Sequence, residues 1–366
     1  MTPGSGPPVP AAPAVSVIVP FHRNREYLAR CLGAVRVALD QLPAASELIV
    51  VADGAPEDCS DIVRLSGGVV LPIPGPSGPA VARNRGAAVA RAEILVFVDS
   101  DVVVHADAVE RIIRVLEPNP DLGAVFGAYD EEPAHPGFLS QGRNLAHSFV
   151  HQRGNREAST FWAGLGAVRR SAFFSVDGFD ERFRRPSVED IDLGYRLRGA
   201  GYRIALEHTI RGKHLKHWTT WNSLRTDVRD RGIPWTQLLH RYSSMRDDLN
   251  VSRAYRACVA VAYLAVALAA AAFSYPLLLV PLGVCLIVLV WLDVSYYAFF
   301  MRRCGLVFTV RWYFVHVMHH LLNGLSFVAG TALFFLTRVG IRGPWSLPVH
   351  PWDGGVSSTR TAPQSS

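Results

Sequence analysis

The sequence predicts an α/β domain with a mostly parallel sheet, followed by an α-helical membrane module. Over the first 220 residues, apolar runs of strand length alternate with helical patterns, which is typical of right-handed βαβ units. One of these runs, residues 94–98, ends in Asp99-Ser100-Asp101. From residue 257 to residue 337 the chain carries very few charged side chains, whereas the chain before about residue 250 has an ordinary globular composition.

The first hundred residues predict four strands with three helices between them. The apolar runs place strands at 15–20, 47–51, 69–73 and 94–98. One helix presents an apolar face that includes Leu28 and Leu32. A second helix is predicted near residues 59–65, and a third over residues 80–92, after Gly78-Pro79. Strands and helices that alternate at this spacing indicate a parallel sheet with helices on both faces.

The two carboxylates that follow residues 94–98 are the first candidate site. A continuous apolar run predicts a strand buried on both faces, and open α/β sheets bind ligands at the carboxyl ends of such strands. Asp-x-Asp in that position suits Mg²⁺ or Mn²⁺ bridging protein oxygens to a substrate diphosphate. The alternative is that Asp99 and Asp101 cap a helix that begins near Ala106.

Composition and charge limit the kinds of partner. The five cysteines are scattered and include no Cys-x-x-Cys pair, which argues against a disulfide framework or a structural zinc site. The net charge of +6 and the pI near 9.2 could indicate nucleic acid, but no basic run is interleaved with aromatic residues. We therefore expect no nucleic-acid partner, and an anionic substrate handled beside an anionic membrane leaflet.

Taken in order, six fragments of this chain resemble the family 2 glycosyltransferases, which have the nucleotide-diphospho-sugar-binding fold called GT-A. The matching fragments are residues 17–21, 50–54, 78–86, 99–101, 178–183 and 189–193. The resemblance makes residues 15–220 the catalytic domain. The chain departs from the family at Ala52-Asp53, where the family often has two consecutive acids, and this leaves Asp53 as the carboxylate for the nucleoside contact.

The resemblance implies a nucleotide-diphospho-sugar donor and a divalent metal, Mg²⁺ or Mn²⁺, as cofactor. The donor-binding residues that it implies are Pro20, Asp53, Arg83, Asn84, Asp99 and Asp101. The metal would be held by Asp101 and completed by His214, with His217 as the alternative. A cation there would neutralise charge on the leaving diphosphate. Arg83 and Asn84, near the start of a helix, could face phosphate oxygens, and a solvated surface arginine is the alternative for Arg83.

For catalysis, the resemblance implies that Asp190 is the general base that removes a proton from the acceptor hydroxyl, giving direct, inverting attack. The simpler explanation is that acids in the first turn of a helix are favoured by its dipole. Asp192 is expected to cap the helix or pair with a nearby arginine. Trp162, Gly164 and Glu189 are expected to line the sugar and acceptor pocket, although a tryptophan in the core would give the same pattern.

The remaining segments predict a membrane module between polar ends. Transmembrane helices are predicted at about 257–273, 277–300 and 312–337, within residues 254–338. The third begins with polar side chains, so that its start is expected near the interface: His316, His319, His320 and Asn323. Residues 221–253 are rich in Arg and Trp and predict an amphipathic interfacial linker. Residues 1–14 predict a disordered leader without a secretion signal, and residues 339–366 a polar tail.

Arginines near the ends of the predicted spans place the catalytic domain in the cytoplasm of a multi-pass cell-membrane protein by the positive-inside rule. We therefore expect a glycosyltransferase acting on a lipid or lipid-linked acceptor. A processive polysaccharide synthase is the alternative, although the Gln-x-x-Arg-Trp that such synthases carry is missing. A non-catalytic membrane partner that keeps the fold is a further alternative, and the intact Asp99, Asp101 and Asp190 argue against it. A transporter is disfavoured by the few helices and by the absence of a phosphate-binding loop.

Overall fold

The computed structural model describes residues 12–242 and 253–347. Most of the predicted leader, residues 243–252 of the predicted linker and the tail from residue 348 lie outside the described residues. The strands are β1 Val15–Phe21, β2 Ser46–Asp53, β3 Val69–Ile73, β4 Ile94–Val98, β5 Val102–Val104, β6 Leu122–Tyr129, β7 Leu165–Arg169 and β8 Arg203–His214. The helices of the sheet domain (residues 12–219) are α1 Arg25–Asp40, α2 Ser60–Leu65, α3 Pro79–Val89, α4 Ala108–Leu116, α5 Phe138–Arg153, α6 Arg170–Ser175 and α7 Glu189–Gly199.

The described strands form one sheet in the order β3-β2-β1-β4-β7-β6-β8-β5. Its first half is wholly parallel, as predicted, whereas β7 runs antiparallel to β4 and β6, and β5 runs antiparallel to β8. Every residue of β4 is buried, as the continuous apolar run predicts. β1, β2 and β4 therefore end at one edge of the sheet.

The capping alternative for the two aspartates after β4 is excluded by the position of α4. That helix begins at Ala108, its N-cap residue is Asp107, and strand β5 lies between Asp101 and the helix. Asp99 and Asp101 are therefore left at the edge of the sheet with their side chains available for other partners.

The C-terminal part of the chain is helical. It comprises α8 Thr220–Arg225, a π-helical segment Thr226–Gly232, α9 Ile233–Arg241, α10 Arg253–Ala272, a 3₁₀ turn Pro276–Leu278, α11 Leu279–Leu292 and α12 Val294–Arg338. Helices α10 and α12 are long and apolar enough to cross a membrane, and α11 with its 3₁₀ turn is a shorter apolar helix. The tight connection folds α10 and α11 into a hairpin.

The predicted span 277–300 is divided in the structure. Helix α11 ends at Leu292, because Asp293 leaves the helical conformation, and residues 294–300 belong to α12. Helix α12 in turn breaks at Gly305, whose φ of 79° is left-handed. The long helix is therefore two segments, residues 294–304 and 306–338.

The second segment of α12, predicted as a span from 312 to 337, lies along the sheet domain and the linker. A Cβ atom on Gly142 of α5 would be 2.1 Å from Cζ3 of Trp312, so that only glycine allows this approach. Further along α12, the same face contacts the π-helical segment at Ser326 and α9 at Gly330. His240 Nε2 is 2.8 Å from Thr331 Oγ1. The opposite face carries exposed apolar side chains: Val307, Val310, Phe314, Leu325, Val328 and Phe335.

The predicted interfacial linker is only partly an exposed amphipathic surface. Trp221 in α8 is 75% exposed, as a membrane-surface residue would be. Helix α9, in contrast, buries Ile233, Leu238 and Leu239, and Trp235 lies beside Tyr195 of α7, with Nε1 3.3 Å from the phenol oxygen. Helix α9 therefore packs as a layer between the sheet domain and α12.

Candidate functional site

Asp101 and His214 face each other at the carboxyl edge of the sheet. The antiparallel register of β5 and β8 pairs Val102 with His214, which brings Nε2 of His214 to 3.4 Å from Oδ2 of Asp101. Withdrawal from water raises the pKa of Asp101, but the neighbouring His214 and Lys216 side chains outweigh it and hold this pKa below its ordinary value. The carboxylate is thus kept in its charged, ligand-competent form.

The second ring nitrogen of His214 is fixed by a residue that the sequence did not indicate. Asn144 of α5 is buried, and its Oδ1 lies 2.9 Å from Nδ1 of His214. Because a carbonyl oxygen only accepts, Nδ1 carries the proton and Nε2 keeps its lone pair, which is the usual arrangement of a metal-ligating histidine. Tyr129 stacks on the ring at 4.3 Å and fixes its plane.

A carboxylate oxygen beside an imidazole nitrogen is a donor set that suits Mn²⁺ or Mg²⁺. The buried Nδ2 of Asn144 has no hydrogen-bond partner among the described residues, so the site holds an unused donor beside the histidine. His217, the alternative ligand, is exposed and stacks on His135 at 4.0 Å. The structure therefore places His214, and not His217, beside the Asp-x-Asp carboxylates.

Arg83 has a different position from the one predicted. It is buried, and its guanidinium donates to Asp99 Oδ1 at 2.7 Å and to Glu189 Oε1 at 3.0 Å. It is neither a solvated surface arginine nor a free phosphate ligand, because α3 directs it under the edge of the sheet. Burial raises the pKa of Asp99 above its ordinary value, although Arg83 opposes the shift. Arg83 thus joins the carboxylates after β4 to the start of α7.

Two other predicted donor residues, Asn84 and Asp53, are bound to protein backbone groups. Asn84 is turned away, since its Nδ2 donates to the carbonyl of Phe179 at 2.8 Å and its Oδ1 accepts from the same residue. Both oxygens of Asp53 accept backbone N–H groups, from Ser77 at 2.7 Å and Gly78 at 2.8 Å. Pro20 lies partly exposed at the end of β1. Asn84 and Asp53 therefore hold loops in place, and a nucleoside contact by Asp53 stays a prediction.

Asp190 is the partly exposed acid at the start of α7. Its Oδ2 accepts the N–H of Ala163 at 3.2 Å and its Oδ1 the N–H of Ile191 at 2.8 Å. Burial and then the adjacent Glu189 charge raise the pKa of Asp190 to about 6, against the positive charges of Arg83 and Arg231. A carboxylate with a raised pKa and open lone pairs is suited to accept a proton near neutral pH.

The other two acids in the first turn of α7, Glu189 and Asp192, are buried and bonded to protein groups. Glu189 is 4% exposed and accepts from Arg83 and from the N–H of Ser187 at 2.8 Å, so it is a structural group rather than a pocket wall. Asp192 is completely buried and pairs with Arg196 at 2.8 Å, which confirms the predicted arginine pairing. Of the three acids, Asp190 has the greatest access to a substrate.

Trp162 and Gly164 lie directly behind Asp190 as a packed layer. The indole ring contacts Tyr129, His147 and His151, with ring centroids 4.7 to 5.6 Å apart, and is 8% exposed. A Cβ atom on Gly164 would lie 2.5 Å from this indole, so only glycine at this position leaves room for the ring. The structure thus supports the core alternative for Trp162, which shapes the site from below.

Arg231, in the π-helical segment, is a further residue that the sequence did not single out for the site. Its positive charge lowers the pKa of Asp190. The pKa of Lys216 is lowered by burial and also by the charge of Arg231. A cation in the C-terminal helical part therefore acts on the site in the sheet domain. The only sequence signal was its place in the Arg- and Trp-rich linker.

Comparisons with known proteins agree with the predicted family resemblance and with the fold. Residues 16–176 match the family model described as glycosyl transferase family 2, and residues 143–218 match one described as the N-terminal domain of galactosyltransferase. The chain is 28% identical over 254 residues to validoxylamine A glucosyltransferase of Streptomyces hygroscopicus subsp. limoneus, covering 58% of this chain and 55% of that protein. It is 31% identical over 216 residues to pre-mycofactocin glycosyltransferase of Mycobacterium tuberculosis, covering 55% and 43%.

The chain spans about half the length of these curated relatives. Among solved structures, a mannosyltransferase from Pyrobaculum calidifontis, in complex with GDP-Man and Mn²⁺, is similar over 90% of this chain and 89% of its own. That match has a TM-score of 0.53 at 15% identity and indicates a shared fold. Together, the ordered motifs, the mixed sheet and the matched family model confirm the predicted resemblance: residues 16–176 match glycosyl transferase family 2, and the sheet domain has the GT-A fold.

Proposed function

We propose that this chain is a membrane-bound, metal-dependent, inverting glycosyltransferase that moves a sugar from a nucleotide-diphosphate donor to a lipid or lipid-linked acceptor. The observation that carries the proposal is the bridge made by Arg83. Its guanidinium donates hydrogen bonds to Asp99 and to Glu189. Asp99 belongs to the Asp-x-Asp motif that contains Asp101, and Glu189 precedes Asp190 in the chain. A metal-binding edge and an acid of raised pKa are thereby held in one rigid frame.

In this proposal, Asp101 and His214 hold a divalent cation, Mg²⁺ or Mn²⁺. A cation held by these residues would supply the positive charge that neutralises the departing diphosphate. Asn144 keeps Nε2 of His214 unprotonated for this role. The Mn²⁺ and GDP-Man bound to the Pyrobaculum calidifontis mannosyltransferase are consistent with such a site on this fold.

Asp190 takes the proton of the acceptor hydroxyl while that oxygen attacks the anomeric carbon and the bond to the diphosphate breaks. Direct attack from the face opposite the leaving group inverts the anomeric centre, and no residue of the enzyme is needed as a nucleophile. The N–H groups of Ala163 and Ile191 hold the carboxylate in place. The remaining lone pairs of its two oxygens are left for the acceptor.

A lipid acceptor is supported by the helical hairpin next to the sheet domain. We propose that α10 and α11 insert in the bilayer and that residues 306–338 of α12 lie at its surface. The inner face of this segment contacts α5, the π-helical segment and α9, while its outer face is apolar. The two inserted helices then return to one side, which agrees with arginines at 253, 256, 302 and 303 on the cytoplasmic side.

A donor screen tests the enzymatic part of the proposal. The purified chain in detergent is incubated with UDP-, GDP- and dTDP-sugars with and without Mn²⁺, and thermal unfolding is recorded. A donor at a hundredfold excess over its Kd stabilises by about 2.7 kcal/mol, so one class should raise the melting temperature clearly when Mn²⁺ is present. No metal-dependent stabilisation by any donor would oppose the proposal.

The membrane arrangement is tested by depth-dependent fluorescence quenching. Single cysteines replace Phe314, Val328 or Ile287 in a chain in which Cys304 is serine, and the labelled protein is placed in vesicles with spin-labelled lipids. An α12 at the surface gives equal, shallow depths for positions 314 and 328, and a deeper one for 287 in α11. Depths of 314 and 328 that differ by the helix rise of about 20 Å would show that α12 crosses the bilayer.

A further inference from the structure

Three metal-ligating side chains from distant parts of the chain meet at the open end of the α10–α11 hairpin. Cys258 lies near the start of α10, Asp293 between α11 and α12, and His320 in the second segment of α12. Sγ of Cys258 is 3.4 Å from Oδ2 of Asp293, and Nε2 of His320 is 3.7 Å from the same oxygen. The three ligand atoms all lie within 4.8 Å of one another.

His320 is the unsatisfied member of this cluster. Its side chain is 1% exposed, and neither ring nitrogen has a hydrogen-bond partner among the described residues. A buried polar group without a partner is costly, and such groups in native proteins need an explanation. The rings of Tyr255 and His316, at 4.9 and 4.4 Å, enclose the imidazole without satisfying it. The free nitrogen near Asp293 is therefore available to a ligand.

The two separations from Asp293 match edges of a coordination tetrahedron, and the third, between Cys258 and His320, is within 4.8 Å. Zinc bonds of about 2.3 Å to sulfur and about 2.1 Å to nitrogen or oxygen, at tetrahedral angles, place sulfur and oxygen about 3.6 Å apart and nitrogen and oxygen about 3.4 Å apart. The corresponding distances here are 3.4 and 3.7 Å. Only small side-chain movements are needed to put one ion in contact with all three atoms.

We propose that Cys258, Asp293 and His320 bind a structural Zn²⁺ ion, with a water molecule as the fourth ligand. A thiolate with an imidazole selects zinc over Mg²⁺ or Mn²⁺, so this site is chemically distinct from the one at Asp101. On binding, the Cys258 thiol loses its proton to solvent and the thiolate donates its electron pair to the ion. The metal fastens the base of the hairpin to α12. The long sequence separations hid this arrangement, because known zinc motifs place ligands a few residues apart.

The test uses the full-length chain purified in detergent, stripped of metal and reloaded with Zn²⁺ or Co²⁺. Mass spectrometry of the metal content is expected to give about one tightly held zinc per chain, and the cobalt form is expected to show sulfur-to-cobalt charge-transfer absorption. Cys258→Ser should abolish that absorption. Cys285→Ser, which changes another buried cysteine of the hairpin, should leave it intact. Asp101→Ala should also retain the zinc, even though it removes the proposed catalytic cation.

A wild-type chain that shows no sulfur-to-cobalt absorption would overturn the proposal, whether or not the variants fold. Retention of the absorption in Cys258→Ser, or its loss in Cys285→Ser, would do the same. These readouts do not depend on transfer activity. A failure of this site and a failure of the proposed enzymatic function are therefore distinguishable.

Discussion

Nε2 of His214 and Oδ2 of Asp101 lie 3.4 Å apart although the residues are distant in the chain. Two features of the fold set this separation. The β5–β8 register places His214 opposite Val102, next to Asp101, and Asn144 holds the other side of the imidazole ring. The proposed metal-binding edge is therefore preorganised by the sheet and by α5, which also contacts α12 through Gly142.

Replacing Asn144 tests whether it acts by fixing His214. Asn144→Leu keeps the side-chain size but removes the acceptor for Nδ1–H, and loss of such a partner weakens metal binding by about 10- to 100-fold. We expect a higher Mn²⁺ concentration for half-maximal transfer and an equal loss in direct Mn²⁺ binding. Gln141→Leu, one turn earlier on the same helix, is the matched control and should leave both unchanged. An unchanged Mn²⁺ requirement in Asn144→Leu would remove this residue from the site.

We expect substitution of Arg83 to lower the free energy of unfolding much more than substitution of Arg91, another arginine in an ion pair. Arg83→Gln leaves two acids without their cation in a buried setting, which costs about 3 kcal/mol. Arg91 pairs with Glu47 but is 65% exposed, so Arg91→Gln should cost about 0–1 kcal/mol. Denaturant unfolding of the two variants measures the difference. Similar stabilities would show that the Asp99–Arg83–Glu189 bridge is not a structural element.

The pKa of Asp190, raised to about 6, predicts the pH dependence of transfer. A general base works only when deprotonated, so the single-turnover rate should rise as pH increases through about 6 and then become constant. Because the positive charge of Arg83 lowers this pKa, the rising limb of Arg83→Gln should move to higher pH. A wild-type rate that is independent of pH between about 5 and 8 would argue against proton transfer to this carboxylate.

Alanine substitutions at Gly142 and Gly33 distinguish the effect of close packing on stability from the effect of helix propensity. Gly142→Ala would put Cβ 2.1 Å from the Trp312 ring and force α5 and α12 apart, at a cost of about 1–3 kcal/mol. Gly33, in α1, has no atom within 4 Å of its added Cβ, and Gly33→Ala should be stabilising by about 0.5–1 kcal/mol. Thermal unfolding in detergent compares the two. A neutral Gly142→Ala would mean that α12 does not rest on the sheet domain.

The strands and the order of the motifs were predictable from local pattern. Residues 69–73 form β3 as predicted, and the run 94–98 is β4 without change, because apolar runs bounded by turns specify buried strands. The antiparallel insertion of β7 was not predictable, since neighbouring strands in a sheet are set by long-range pairing. The end of α11 before Asp293 could have been predicted, because a charged side chain within an apolar run is costly inside a membrane.

At the site, motif matching predicted roles for Asp101, Asp190 and His214 that stay predictions. It also predicted ligand contacts for Arg83 and Asn84, whose side chains bond to protein groups in the structure. A motif gives the type of a residue and not the direction of its side chain, which depends on the face of α3 that carries it. Asn144 had no sequence signal and Arg231 had only its place in the Arg- and Trp-rich linker, because each acts on the site from a distant part of the chain. Residues of this kind become visible only in the structure.

The most direct test of the account is single-turnover transfer by Asp190→Asn beside a donor-binding isotherm. Asparagine keeps the shape of the side chain and removes its basicity, so we expect the rate to fall by about 10² to 10⁴ with donor affinity nearly unchanged. Asp192 is buried against Arg196 and would be a poor control, so the exposed Asp121→Asn serves instead and should match the wild type. An Asp190→Asn enzyme as fast as the wild type would contradict the assigned base and, with it, the proposed mechanism.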